Sequence, residues 1–288
     1  MTSALRNAAP MAVVLLIVVV VWYLGAVWLN FDVTQNLADD DATFWDIVRG
    51  TMRQDRPLLP APHQLVAELA SSVFGQPPDS VKSLVYHAGV TALAACLGFL
   101  IALALGTALA VGIVHVRTLD RSLMLWIITS QTIPVLAIAP MVVVVLGNIG
   151  FTGLLPKSLI AGYLSFFPIA TGLVKGLRSP DPMQRDLMRT YSASRAQIFA
   201  MLRWPAAMPF LFPSLKVAAT LALVGAIVAE LPTGAQAGLG ARLLTGSYYG
   251  QTLQIWAALF MAAFLALLAI AIVDLCQLAL VRKRGGRL

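Results

Sequence analysis

Charge is scarce in this chain. Asp, Glu, Lys and Arg make up 11% of its 288 residues, against 59% hydrophobic, where an ordinary soluble domain carries about 25% charged residues. A chain so poor in charge is solvated mainly by lipid. Catalytic and metal-binding patterns are missing too. No Gly-x-x-x-x-Gly-Lys-[Ser/Thr] phosphate loop occurs, so the chain has no nucleotide site of that type. Paired catalytic carboxylates and His-x-x-x-His are absent, and His63, His87 and His115 are scattered over loops and helix ends. No metal site is expected. The two cysteines, Cys96 and Cys276, lie in different apolar runs and read as small buried hydrophobes rather than as a bridge. A nucleic-acid role is excluded as well, because the formal charge of +7 lacks a soluble basic module with stacking aromatics.

What the chain does have is long apolar runs. Met11–Leu29 is unbroken, and a bilayer span needs about 20 such residues. Its apolar core exceeds that of a signal peptide, so a retained anchor is expected. Leu84–Val114, Ser122–Leu146, Leu154–Val174, Pro209–Ala229 and Leu253–Val281 read as further spans. Runs this long and continuous predict helices rather than a barrel, hence an all-α polytopic membrane protein with six spans. The basic residues give the orientation. Arg6, Arg117, Arg121, Lys175, Arg178, Arg185, Arg189, Arg195, Arg203 and the Arg282–Arg287 tail fall on one side, whereas the loops of the other hold Arg49, Arg53, Arg56, Lys82, Lys157 and Arg242 together with the acids Asp32, Asp39, Asp40, Asp41 and Asp46. Both termini are therefore expected in the cytoplasm, with much of the excess charge facing lipid headgroups. The linear division is an anchor over 1–30, an extracytoplasmic segment over 31–83, a five-helix core over 84–281 with a cytoplasmic loop at 176–208, and a basic tail over 282–288.

Several features inside the runs admit two readings. Ala94, Gly98, Ala102, Gly106 and Ala110 form a small-residue stripe, as do Ala218, Ala222 and Ala226; each serves packing within the chain or a dimer face. Glu230 continues the second stripe into a Gly-rich break, as a structural cap or a solute contact. Lys216 and Asp274 fall at similar depth, as an ion pair or as two separate snorkelling groups. In the third run, Gln131-Thr132-Ile133-Pro134 and Pro140 interrupt the backbone ladder. That break either lines a solute path with Gln131, Thr132 and Pro134 or kinks a packing helix.

Between the fourth and fifth runs, Asp181 and Pro182 suit a helix start, and Met183, Leu187 and Tyr191 form an apolar stripe. Ser192 or Ser194 can cap a second short helix carrying Ile198, Phe199 and Leu202, with Pro205 as its stop. Two short helices joined by a turn make a rigid lever for docking, unless they are an ordinary interfacial connector.

The stretch from Asp186 to Pro205 resembles the cytoplasmic coupling loop of permease subunits in binding-protein-dependent ABC importers. That loop reads Glu-Ala-Ala, a Gly after three residues, then Ile and Leu-Pro; here Asp186, Ser192, Ile198 and Trp204-Pro205 stand at those places. Leu187-Met188 replaces the alanines, and Ser192 lacks glycine's free access to positive φ. Gln131 to Pro140, Phe166-Phe167-Pro168 with Gly176-Leu177, Ala229-Glu230 with Gly238-Leu239-Gly240, and Leu59-Pro60-Ala61-Pro62 are similar to segments of the nitrate/sulfonate/taurine group, in the same order from about residue 58 onward. Gln131 and Tyr191 are similar to members serving pyrimidine-like, thiamine-precursor or riboflavin substrates.

The resemblance implies the type I ABC importer permease fold in the cell inner membrane. It implies that Asp186, Leu187, Tyr191, Ser192, Ser194, Arg195, Ile198, Phe199 and Pro205 couple to a cytoplasmic ATPase. ATP and Mg would be bound by that partner and no cofactor by this chain, which would itself be no enzyme. A second permease subunit, taken as an identical copy, and an extracytoplasmic solute-binding protein would complete the assembly, for a small organic or oxyanion solute. The rivals are a self-sufficient proton-coupled transporter using Glu230 or the Asp274/Lys216 pair, and an intramembrane enzyme, for which no nucleophile or metal constellation is present.

Overall fold

The computed structural model describes residues 2–38, 41–231 and 237–283, without the side chains of residues 2–9 and 283. The acids at 39 and 40, the Arg6 side chain, the centre of the Gly-rich break at 232–236 and the basic tail beyond 283 lie outside the described residues. Every described element is helical. Five helices are long and apolar enough to cross a membrane, or six spans if one bent pair counts as a single crossing. The chain forms two compact units, Met1–Tyr86 with Arg242–Met261, and His87–Ala241 with Ala262–Leu288, so the units interleave along the sequence.

In the first unit, α1 (Thr2–Leu37) runs well past the apolar stretch seen in the sequence. It is followed by α2 (Phe44–Thr51) and α3 (Pro62–Phe74). Asn30, fully buried in α1, anchors the strap between α2 and α3. Its amide donates to the Leu59 carbonyl at 2.8 Å and accepts from Leu58 N–H at 2.6 Å. Trp22 Nε1 donates to the Pro60 carbonyl at 2.9 Å, while its ring packs on Trp256 and Phe260. The strap's proline side chains, Pro57 and Pro60, are fully buried. Prolines carry no N–H to satisfy, and the donors the strap does have at Leu58 and Leu59 are met by Asn30. α2 opens at Thr43, whose hydroxyl and N–H bond to Asp46. The Thr43 hydroxyl, more than any other group, holds the Asp46 carboxyl below its ordinary range.

The second unit holds most of α4 (Leu84–His115), α5 (Arg117–Ser130), α6 (Val135–Asn148), α7 (Leu154–Leu177), α8 (Pro182–Thr190), α9 (Arg195–Ile198), α10 (Trp204–Glu230), and parts of α11 (Leu239–Tyr248) and α12 (Thr252–Lys283). α7 is the central helix and packs along α10 and α4. The small-residue stripes face inward: Ala94, Ala102 and Ala110 of α4 and Ala218, Ala222 and Ala226 of α10 are all buried within the chain. At the tightest point Ala161 of α7 sits between two glycines. A Cβ on Gly98 would lie 2.4 Å from the Ala161 methyl, and one on Gly225 would lie 2.7 Å from Ala161 Cα. Lipid offers no hydrophobic incentive for helices to associate, so dispersion at such close backbone approach has to supply it. The cysteines correct the sequence reading, since Cys96 and Cys276 are exposed on the chain's surface.

The third expected span, Ser122–Leu146, is also corrected. It is two helices, α5 and α6, meeting at 98°. Pro134 supplies no N–H, and its ring biases Ile133 toward an extended backbone. α5 therefore closes with tight bonds from Gln131 N to Ile128 O and from Thr132 N to Thr129 O, and α6 restarts with Ala137 N on Pro134 O. The Tyr163 hydroxyl donates to the Ser130 carbonyl freed at the break. Pro140 stays inside α6.

Overpacking the Ala161 contact should be costly. Gly98→Leu should lower stability by about 1–3 kcal/mol, read as the unfolding midpoint of the purified chain in detergent. Gly89→Leu on the same helix, where a Cβ meets nothing within 4 Å, should change it little. Equal effects of the two substitutions would contradict the packing account.

Candidate functional site

The charged segment between α7 and α10 is a helix, a turn and a second helix. Asp181 caps α8 by accepting from Met183 N at 2.8 Å, with Pro182 in the first turn. Along α8 the apolar stripe is solvent-facing, with Met183 and Tyr191 each 79% exposed and Leu187 57%. Asp186, also exposed, pairs with Arg189 at 3.1 Å. The turn departs from the sequence reading: Ser192 takes φ +55° without being glycine. The conformation costs roughly 1–2 kcal/mol for an L-residue and is held by Ser192 N on Arg189 O and Ala193 N on Met188 O. Ser194, not Ser192, caps α9. Gln197 N donates to its hydroxyl at 3.3 Å, and Ser194 N donates to the Gln197 amide oxygen at 2.7 Å. This Ser-x-x-Gln capping box was present in the sequence.

Pro205 does not stop the second helix, as expected, but sits in the first turn of α10 in a continuous helix from Arg195 to Glu230. A π-helical turn at Phe199–Arg203 makes this possible. It widens the ladder so that Trp204 N reaches Phe199 O, and the missing proline N–H then falls where the spacing is already broken. Arg195 is exposed, whereas Ile198 and Phe199 are half-buried. The Phe199 ring lies 5.9 Å from Trp204 and 5.1 Å from His115 of α4. Phe199 thus anchors the second helix to the body, while Met183, Leu187 and Tyr191 stay exposed on α8 and its C-cap.

At the α5–α6 break, Thr132 and Pro134 are exposed and Gln131 is partly so. Thr132 Oγ1 donates to Thr129 O at 2.8 Å, and the Gln131 amide reaches Ser130 Oγ at 3.4 Å. The break therefore presents an amide, a hydroxyl and loosened backbone on an open face. Lys216 and Asp274 form an ion pair joining α10 to α12. Arg178 and Asp120 pair at 2.7 Å, a contact without a sequence signal beyond sign.

Glu230 stands apart from that open face. It is 0% exposed and takes Thr91 Oγ1 at 2.9 Å, Gly240 N–H at 2.9 Å and Lys157 Nζ at 3.4 Å. Thr91 Oγ1 in turn accepts from Leu239 N at 2.8 Å, and Lys157 donates to Ala237 O at 3.0 Å. His87 Nδ1 lies at hydrogen-bonding distance from both Gly238 N and Gly238 O. Gly238 has φ +125°, and a Cβ there would fall 2.2 Å from the Glu230 carboxyl, so only glycine fits. The carboxylate network holds the end of the Gly-rich break against α4 and α7. Lys157, read as an outer-loop charge, is in fact buried beside it. A lysine in the first turn of an apolar helix was the available signal. Among the described residues no group of three or more His, Cys, Asp or Glu could hold a metal ion.

Helices that cross a membrane, one of them broken at a proline, with an exposed helical pair projecting before the fifth span, define a polytopic membrane permease. Residues 98–286 match the family described as the binding-protein-dependent transport system inner membrane component, and the chain belongs to that family, the permeases of ABC importers. It is 30% identical over 217 residues to the formylaminopyrimidine transport permease protein of Halalkalibacterium halodurans, covering 74% of this chain and 81% of the relative. The riboflavin transport system permease protein of Chloroflexus aurantiacus is 32% identical over 168 residues, 58% of this chain and 61% of the relative. A putative aliphatic sulfonates transport permease protein of Bacillus subtilis is 25% identical over 248 residues, 84% of each.

Removing one member of a buried ion pair strands the other. Glu230→Gln and Lys157→Met should each cost about 3 kcal/mol or more, whereas the double variant should lose clearly less than the sum. Unfolding midpoints of the three variants check this, and strictly additive losses would contradict the network.

Proposed function

We propose that this permease forms half of a solute pathway with a second, identical copy. It receives solute from an extracytoplasmic binding protein and couples through residues 186–205 to a cytoplasmic ATPase that binds ATP and Mg. Both termini then lie in the cytoplasm, in keeping with the basic inner segments. The observation that carries the coupling role is the α8 stripe of Met183, Leu187 and Tyr191. These large apolar side chains are exposed on a capped, rigid helix flanked by arginines. Such a stripe suits insertion in a partner's cleft, as in helix-in-groove recognition. Asp186 and Arg195 flank it as polar rim, the Ser192 turn and Ser194 cap set its angle, and Ile198, Phe199 and Pro205 transmit its position into α10. ATP-driven closure of the ATPases would draw two such levers together and open the path outward, and hydrolysis would reverse it.

Gln131, Thr132 and Pro134 are the residues proposed for the solute path, because the α5–α6 break supplies both donors and acceptors there. A small organic solute or oxyanion is proposed, with a nitrogen heterocycle favoured. The names of the pyrimidine and riboflavin relatives support this, and the Gln131 amide suits the paired donor and acceptor edges of such rings. Speaking against the proton-coupled alternative are the closed surroundings of Glu230 and the mutual pairing of Lys216 with Asp274. Each carboxylate is held by a lysine of the same chain.

Leu187→Asp or Met183→Asp should weaken ATPase docking by about 2 kcal/mol, roughly 30-fold. Solute-stimulated ATP hydrolysis in the purified assembly should fall accordingly, with membrane insertion unchanged. Undiminished stimulation in both variants would remove α8 from the coupling role.

A further inference from the structure

Outside the proposed coupling and solute-path residues, the end of α1 and the whole of α2 expose a cluster of large aromatic side chains. α2 turns back beside α1, with Ile47 and Thr51 as its buried side. Its other side shows Phe44, 60% exposed, and Trp45, 68% exposed, and Trp28 of α1 is 79% exposed. The Phe44 ring lies 5.8 Å from Phe31 of α1 and 5.7 Å, edge-on, from Trp45. Between the two helices runs an open groove of about 730 Å³, lined mostly by apolar and aromatic side chains, Leu24 and Val27 among them. Asp32 sits on its wall, and Asp46 and Arg49 mark the polar edge of α2.

The groove continues a surface whose covering is already determined. From Val13 through Val21 to Leu24, α1 exposes one large apolar side chain after another, and this helix is long and apolar enough to cross a membrane. Leu24 and Trp28 belong both to that column and to the groove. Lipid that covers the column therefore reaches the mouth of the groove. Tryptophan and other amphipathic aromatics collect at the level where hydrocarbon gives way to headgroups. A short helix with an apolar side, a capped acidic start and a basic residue in its last turn suits the plane of that boundary.

We infer that α2 and the end of α1 form an interfacial lipid site, in which Phe44, Trp45 and Trp28 embed in the leaflet at the end of α1 away from its N-terminus and the groove takes a phospholipid acyl chain. The site would fix the depth of a span that is little buried within the chain itself. It also accounts for the length of this segment, since a direct link from α1 to the 57–60 strap would not return a helix to the membrane surface.

The test uses the full-length chain in nanodiscs, with the Trp45 emission isolated as the difference between wild type and Trp45→Phe. Phosphatidylcholine brominated along its acyl chains should quench that component severalfold more than aqueous iodide does, and its maximum should lie to the blue of a solvated indole. The same comparison with Trp28→Phe should agree. A Trp45 component quenched by iodide and untouched by brominated lipid would overturn the proposal. If that iodide quenching were then lost on adding a purified extracytoplasmic solute-binding protein, the face would belong to protein docking instead.

Discussion

The second unit depends on one buried carboxylate. Glu230 ends α10 where its small-residue stripe runs out and the chain breaks into a Gly-rich segment. A helix end in a poorly hydrated place leaves polar groups that lipid cannot satisfy. The Glu230 carboxylate meets the free Gly240 N–H in the first turn of α11 and also accepts from Thr91 of α4 and Lys157 of α7. Four segments meet at one side chain, and the seam below them closes by dispersion alone. Gly98, Ala161 and Gly225 allow backbones to touch where any larger residue would hold them apart. Polar closure at one end and close approach along the length together let α7 serve as the fixed post of the unit.

Against that post, the segments proposed for coupling and for the solute path are those that depart from regular helix. The 98° bend at Pro134 and the π-helical turn before Pro205 are both answers to a proline without an N–H, and they have opposite results. The first ends a helix and exposes Gln131 and Thr132. The second keeps the helix continuous from Arg195 to Glu230. The Ser192 turn adds a third departure, a strained conformation held by two backbone hydrogen bonds.

Much of this was legible in the residues. Lipid-facing runs, small-residue stripes and the Asp181-Pro182 helix start are read from period and residue type, because each reflects a local rule. The Lys216–Asp274 pairing was foreseeable from depth, since two charges at one level in lipid have few other partners. The bend angle was not, since a proline announces a break without giving the direction in which the chain resumes. Lys157 was misplaced because its sign suited an outer loop, whereas its partner lies 73 residues away in sequence. The anchoring of Phe199 by His115 was hidden for the same reason. The role given to Pro205 was wrong because a π turn depends on the register of the preceding helix, which composition does not encode.

Transport through this permease is proposed to be powered by ATP on another chain. Reconstituted alone in liposomes, it should take up no solute with or without a proton gradient. Uptake should appear once the ATPase, the binding protein and ATP are supplied, with the ATP on the side that carries the basic tail. Gradient-driven uptake by the isolated chain, abolished by Glu230→Gln in a variant that remains folded, would contradict it.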